Sequence, residues 1–317
     1  MTCARGAASR PASPRTRPTS RRRTPAPPPS ERRPAGSFLR APQLSQSMRL
    51  AIVLPLTAAL LAGAAFACPG RDAPCEVDGG FYHAGLPLEG AARGLVLYLH
   101  GWGGVGRAAL SDGHWTAPMR ARGYALVAPQ GEPRRPGDRG GAWNSRAAAG
   151  ARDDVAFLRR VIADARRRFG LDGTPTLVSG FSGGGMMVWR LACDAPDSAD
   201  AYAPVAGLLW RPLPERCAGP VRLLHIHGWD DPVVPVEGRS VAGGRLTQGD
   251  LFSGLALLRR ANGCETDAPA EARVRDGLWL RRWDCAAALG LGLFPGGHVA
   301  PEGWGDLALD WLEETPG

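Results

Sequence analysis

The chain contains no lysine among its 317 residues, so every fixed side-chain cation is an arginine. With abundant Ala, Gly and Pro, this is a mark of GC-rich coding and excludes no fold. Residues 1–47 have almost nothing to bury. They are mostly Arg, Pro, Ser and Ala, and such a segment cannot recover the entropy of ordering. Residues 1–49 hold eleven arginines and one glutamate, ten positive charges net in a chain whose formal charge is +8, so the remainder stands near −2. The basic pI therefore belongs to the leader and gives no argument for a nucleic-acid partner. The absence of any C-x-x-C spacing argues against the common zinc frameworks. No internal repeat and no low-complexity linker follow residue 75, which argues against a solenoid or a string of modules.

The apolar run MRLAIVLPLTAALLAGAAFAC, from Met48, is broken by Pro55 and Gly63 and is marginal in length for a membrane span. Arg49 before the run, and Ala65-Phe66-Ala67 before Cys68, make it a secretory signal peptide with an A-x-A cleavage site. Ala65 stands where a lipoprotein signal would carry a leucine-like residue. Residues 48–67 are thus expected to be removed on export, to an extracellular or periplasmic destination with no stable membrane anchor. Met48 is expected to be the true start, with residues 1–47 untranslated. The mature chain, 68–317, has a length that suits one large α/β domain. Its six cysteines, 68, 75, 193, 217, 264 and 285, read as disulfides in an exported protein, and sequential pairing is the simplest arrangement.

Short apolar runs alternate with helical patterns. GLVLYLH (94–100), YALVAP (124–129), TLVS (176–179), AYAPVAG (201–207), VRLLHIHG (221–228) and LWLRRWDC (278–285) read as strands. Residues 151–169 place Val155, Leu158, Ile162, Ala165 and Phe169 at helical spacing, with aspartates first and arginines last. Further helices are expected after the serine turn (186–193) and over 252–262 and 304–314. The alternation predicts a mainly parallel sheet with helices on both faces.

The stretch GFSGGGMM (180–187) sets one serine among glycines between a strand and a helix. Gly180-Phe181-Ser182-Gly183-Gly184 fits G-x-S-x-G in the context of a nucleophile elbow, where the turn is so sharp that side chains two residues either side of the serine would collide with their neighbours. A serine needs a base. His298, in the loop PGGHVAPEG, is the candidate, and HGWDDPVVP (227–235) supplies Asp231, with Asp230 as the alternative acid. Oxyanion N–H donors are expected from Gly183 and from Trp102 in HGWGG, with His100 turned inward to hold that loop.

The set HGWGG, GFSGGGMM, HGWDDPVVP and PGGH resembles the secreted polyhydroxybutyrate depolymerase and feruloyl esterase-like family of α/β-hydrolases, across essentially the whole mature chain. The resemblance implies an α/β-hydrolase fold without a large cap domain, ester cleavage through an acyl-enzyme, and no cofactor. It implies a triad of Ser182, Asp231 and His298. Trp143 and Asn144, in the segment PQGEP…GAWN, would lie near the cleft, and Trp229 stands where a small polar residue is more usual. The substrate would be a small ester, a 3-hydroxybutyrate oligomer, or a feruloyl or acetyl ester on a polysaccharide. With one helix after His298, no added polymer-binding module is expected.

Three rival readings use other residues. Gly101–Gly106 fits G-x-G-x-x-G, but no helix start is evident after it and no acidic residue closes the next strand, which weakens dinucleotide binding. His225 and His227 share a strand face, yet no third metal ligand is evident. A non-catalytic binding protein on a hydrolase scaffold would have no need to keep serine, aspartate and histidine together.

Overall fold

The computed structural model describes residue 68 and residues 73–314; the leader and the signal segment lie outside the described residues. In chain order the strands are β1 (Cys75–Val77), β2 (Gly80–Gly85), β3 (Gly94–Leu99), β4 (Tyr124–Pro129), β5 (Glu132–Pro133), β6 (Gly141–Ala142), β7 (Thr176–Phe181), β8 (Ala201–Val205), β9 (Trp210–Arg211), β10 (Leu223–Gly228), β11 (Ser240–Val241), β12 (Leu246–Gln248), β13 (Glu271–Arg275), β14 (Leu278–Trp283) and β15 (Leu289–Phe294). The α-helices are α1 (Gly106–Ser111), α2 (Gly113–Ala121), α3 (Asp154–Phe169), α4 (Gly183–Asp194), α5 (Leu251–Ala261) and α6 (Trp304–Glu313).

Ten strands form one sheet in the order β1-β2-β4-β3-β7-β8-β10-β15-β14-β13. The six from β4 to β15 in that order run parallel, and the strands beyond them at both edges are antiparallel. The continuous apolar runs are buried on both faces, as parallel strands require. In β3, Leu95, Leu97 and Leu99 join one core cluster with residues of α3, α4 and α5, while Val96 and Tyr98 join another with α2 and α6. The period-2 alternation thus divides one strand between two cores.

Helix α3 begins three residues later than its apolar pattern suggests, because the Asp153 side chain accepts from the Ala156 N–H and caps it. Its buried stripe includes Phe157 and Val161 beside Leu158, Ile162 and Ala165, with Val155 and Phe169 half-buried. Gly170, in the left-handed region, ends it. One expectation needs correction, and one helix was not read from the sequence. A helix, α1, does start at Gly106, though no side chain caps it. And α2 carries Pro118 inside its span, which hides it from a pattern search. The cysteines pair sequentially, Cys68–Cys75, Cys193–Cys217 and Cys264–Cys285. Among the described residues no helix is long and apolar enough to cross a membrane.

Candidate active site

Ser182 occupies the turn between β7 and α4, at φ 56° and ψ −118°. A β-carbon-bearing residue is strained at such a φ. The neighbours explain how the strain is held. A Cβ at Gly184 would land on the Leu99 carbonyl, and one at Gly180 would come within 2.8 Å of the same oxygen, so strand and helix approach as closely as glycine permits. The Ser182 N–H donates to the Val205 carbonyl at 2.9 Å, which fixes the turn against β8. The hydroxyl is thereby presented at the N-terminus of α4, where free N–H groups favour negative charge.

His298 lies 2.9 Å from the Ser182 Oγ through Nε2, and 2.7 Å from the Asp231 Oδ2 through Nδ1. Two loops carry these groups, and their backbones are tied together: Trp229 N–H donates to the Phe294 carbonyl and Asp230 N–H to the Gly296 carbonyl. Burial distinguishes the two aspartates. Asp230 is exposed, whereas Asp231 is 3% exposed and faces the imidazole. Its Oδ1 accepts from the N–H groups of Val233 and Val234, each at 2.8 Å. A carboxylate so supplied with donors is held in one orientation.

The Trp102 backbone nitrogen lies beside Gly183: a Cβ on Gly183 would stand 3.1 Å from it. The two residues named for the oxyanion are therefore adjacent, flanking the serine. His100 is buried and supports this loop. Its Nε2 accepts from the Gly131 N–H at 3.0 Å, which leaves Nδ1 protonated to donate to the Gly101 carbonyl at 2.8 Å. Burial, opposed by the Gly101 bond, lowers its pKa and keeps the ring neutral.

The segment 129–144 serves the same loop. Trp143 donates its indole N–H to the His100 carbonyl at 2.8 Å, the Gly103 N–H donates to the Gly141 carbonyl, and the Gly141 N–H donates to the Gly104 carbonyl. A Cβ at Gly140 would land on the Gly103 carbonyl, which accounts for glycine in this Arg- and Gly-rich stretch. Asn144 spends its amide on its own loop, bonding Ala148 and Arg152. Trp229 is half-buried and meets Trp279 edge-on at 4.5 Å. Trp102 is 67% exposed, with the Arg134 guanidinium over its ring at 4.8 Å.

Two contacts were not anticipated from the sequence. Phe181 packs on the His298 ring at 4.8 Å between centroids. His227 approaches Asp231 Oδ2 at 3.3 Å from within the core. Among the described residues no group of three or more ligating side chains could hold a metal ion.

The fold is similar to that of a solved structure, the acetyl xylan esterase from Aspergillus awamori, with a TM-score of 0.53 at 14% identity, covering 74% of this chain and 94% of that one. The chain has the α/β-hydrolase fold. A carboxylesterase structure from Mesorhizobium loti agrees, with a TM-score of 0.50 at 19% identity over 76% of this chain and 99% of that one. Among curated sequences this hydrolase-fold chain is similar to "Putative esterase NocK" of Nocardia uniformis, 35% identical over 159 residues, 50% of this chain and 46% of the relative. It is also similar to "Probable feruloyl esterase C" of Aspergillus terreus, 26% identical over 228 residues, 68% of this chain and 74% of that protein. The chain thus spans about half the length of the Nocardia relative. No protein-family model matches it.

Proposed function

We propose that the protein is an exported serine esterase in which Ser182 is the nucleophile, His298 the general base and Asp231 the residue that orients it. The observation that carries this reading is the pair of contacts on one imidazole, 2.9 Å to a serine in a strained turn and 2.7 Å to a buried carboxylate. Ser182 Oγ attacks the ester carbonyl while His298 Nε2 takes its proton. The developing oxyanion is met by the N–H groups of Trp102 and Gly183. Collapse of the tetrahedral intermediate expels the alcohol, to which His298 returns the proton. Water, activated by the same imidazole, then releases the acid from Ser182.

Trp143, Asn144 and the glycines of the 131–141 loop act in this reading as supports of the oxyanion loop. The exposed Trp102 ring and the Trp229–Trp279 pair are the aromatic surfaces available to substrate. The three disulfides support an oxidising compartment, and with the A-x-A segment they support export. Two ester classes fit: feruloyl or acetyl esters on a polysaccharide, and 3-hydroxybutyrate oligomers. The names of the curated relatives favour the first; the four-motif resemblance accommodates both.

Release of ferulate, acetate or 3-hydroxybutyrate by residues 68–317, beside Ser182→Ala, tests the reading. Turnover lost in the variant is expected. Turnover retained there would overturn the assignment of Ser182, and hydrolysis of the oligomer alone would move the substrate to polyesters.

A further inference from the structure

Behind Asp231 lies a buried chain of polar side chains that the mechanism above does not use. Trp189, on α4, donates its indole N–H to His225 Nδ1 at 3.1 Å. His225 Nε2 and His227 Nδ1 are 2.9 Å apart. His227 Nε2 is 2.7 Å from the Val234 carbonyl and 3.3 Å from Asp231 Oδ2. All three side chains are inaccessible to solvent.

The chain has one direction. An indole nitrogen only donates, so His225 Nδ1 must accept, and its proton resides on Nε2. His227 Nδ1 must then accept that proton's bond, which places the His227 proton on Nε2. At the far end a carbonyl and a carboxylate only accept, and they demand the same arrangement. Both ends therefore fix the tautomer of both histidines. Protonating either ring would set two donors face to face. Burial, together with the neighbouring His227, keeps His225 neutral; burial keeps His227 neutral against the pull of the Val234 carbonyl and Asp231.

From these bonds we infer that Trp189, His225 and His227 are positioning residues of the reaction, tying the acid loop, through the Val234 carbonyl, to the helix that follows the nucleophile and holding a fixed N–H 3.3 Å from Asp231 Oδ2. The inference rests on the assignment of Ser182, Asp231 and His298 proposed above. The contacts form a closed circuit: Ser182 to His298 to Asp231, then across the 3.3 Å approach to His227, and through His225 and Trp189 back to α4, whose N-cap is Ser182. Displacement of the acid loop relative to α4 strains the buried hydrogen bonds that run from the Val234 carbonyl through His227 and His225 to Trp189. The N–H also draws charge from the oxygen that faces His298 Nδ1. Its loss leaves a more basic carboxylate, which favours the imidazolium and moves the loss of the free base to higher pH. The charged or titratable groups facing His227 are His225 from β10, Asp231 from its loop and His298 from the loop after β15; His225 faces His227 and the indole of α4.

The test is the rate of phosphonylation by a fluorophosphonate between pH 5 and 8, in wild type, His227→Asn and His227→Gln. In that reaction Oγ–P forms, P–F breaks, fluoride leaves and His298 takes the serine proton. A Gln amide can place an N–H where Nε2 stands, whereas Asn is too short. His227→Asn is expected to react about tenfold more slowly, the scale of one lost buried hydrogen bond, with its acid limb moved upward. His227→Gln is expected to keep rate and limb. Unchanged rate and limb in His227→Asn, or loss in folded His227→Gln, would overturn the inference. Should His227→Asn not fold, His227→Gln alone decides. Wild type that does not react at Ser182 would instead remove the proposed function.

Discussion

Asp231 divides its carboxylate between two tasks: Oδ2 meets His298 Nδ1 at 2.7 Å, and Oδ1 accepts from its own loop at Val233 and Val234. The carboxylate proposed to orient the base also holds the turn that places it. Asp231→Asn is expected to keep the turn through Oδ1 yet supply an N–H where the imidazole needs an acceptor. That change leaves His298 in the wrong tautomer and lowers kcat by about 10⁴, as amide substitution of a triad acid does. The exposed Asp230 offers a matched control, since its loop contact is made by its backbone. Steady-state kinetics of Asp230→Asn are expected to stay within about twofold of wild type, like most exposed substitutions.

A distant backbone contact should be felt at the serine. Gly140 lies against the Gly103 carbonyl, in the loop that presents the Trp102 N–H. Gly140→Ala forces that loop away and is expected to lower kcat by about 10²-fold, the scale of losing one oxyanion donor. Gly113, which has open space around it and no positive φ, can accept alanine at the start of α2 with kcat unchanged. Comparable kcat for the two variants would contradict this view of the loop.

Acid should destabilise the fold through its buried histidines. Burial lowers the pKa of His100, His225 and His227, so the unfolded chain takes up protons near pH 6.5 that the folded chain refuses. With folded-state values depressed, the stability they confer is fully present above pH 6.5 and lost as pH falls below it. The slope reaches about 1.4 kcal/mol per pH unit for each histidine. Urea midpoints at pH 7.5 and 5.5 measure it, and His225→Gln is expected to show the shallower fall.

The bridge Cys193–Cys217 joins the end of α4 to the chain before β10, closing 24 residues. Replacing both cysteines by alanine is expected to remove about 3 kcal/mol by loop entropy and to lower Tm, while reactivity at Ser182 persists at 25 °C. An unchanged Tm would show that packing around buried Cys193 suffices.

The legible parts of the sequence were those where one local constraint fixed the chain. The turn at Ser182 was readable because close approach demands glycine, and β4 was readable because both its faces are buried. By contrast, the run LGLGLF of β15 gives little strand signal, since glycine supplies no side chain to the pattern. Those glycines answer to tertiary neighbours: a Cβ at Gly290 would crowd Leu224 and Trp311. The direction of the His225–His227 pair was also beyond local reading, because Trp189, which helps to set it, lies 36 residues away.

Intact-mass and peptide analysis after reaction with a fluorophosphonate tests the central claim most directly. The peptide from Phe169 to Arg190 contains two serines, of which Ser179 is buried and bonded to the Ala203 carbonyl. One adduct per chain, on Ser182 and absent from Ser182→Ala, is the expected result. No adduct, or an adduct that persists in Ser182→Ala, would contradict the assignment of this serine as the nucleophile.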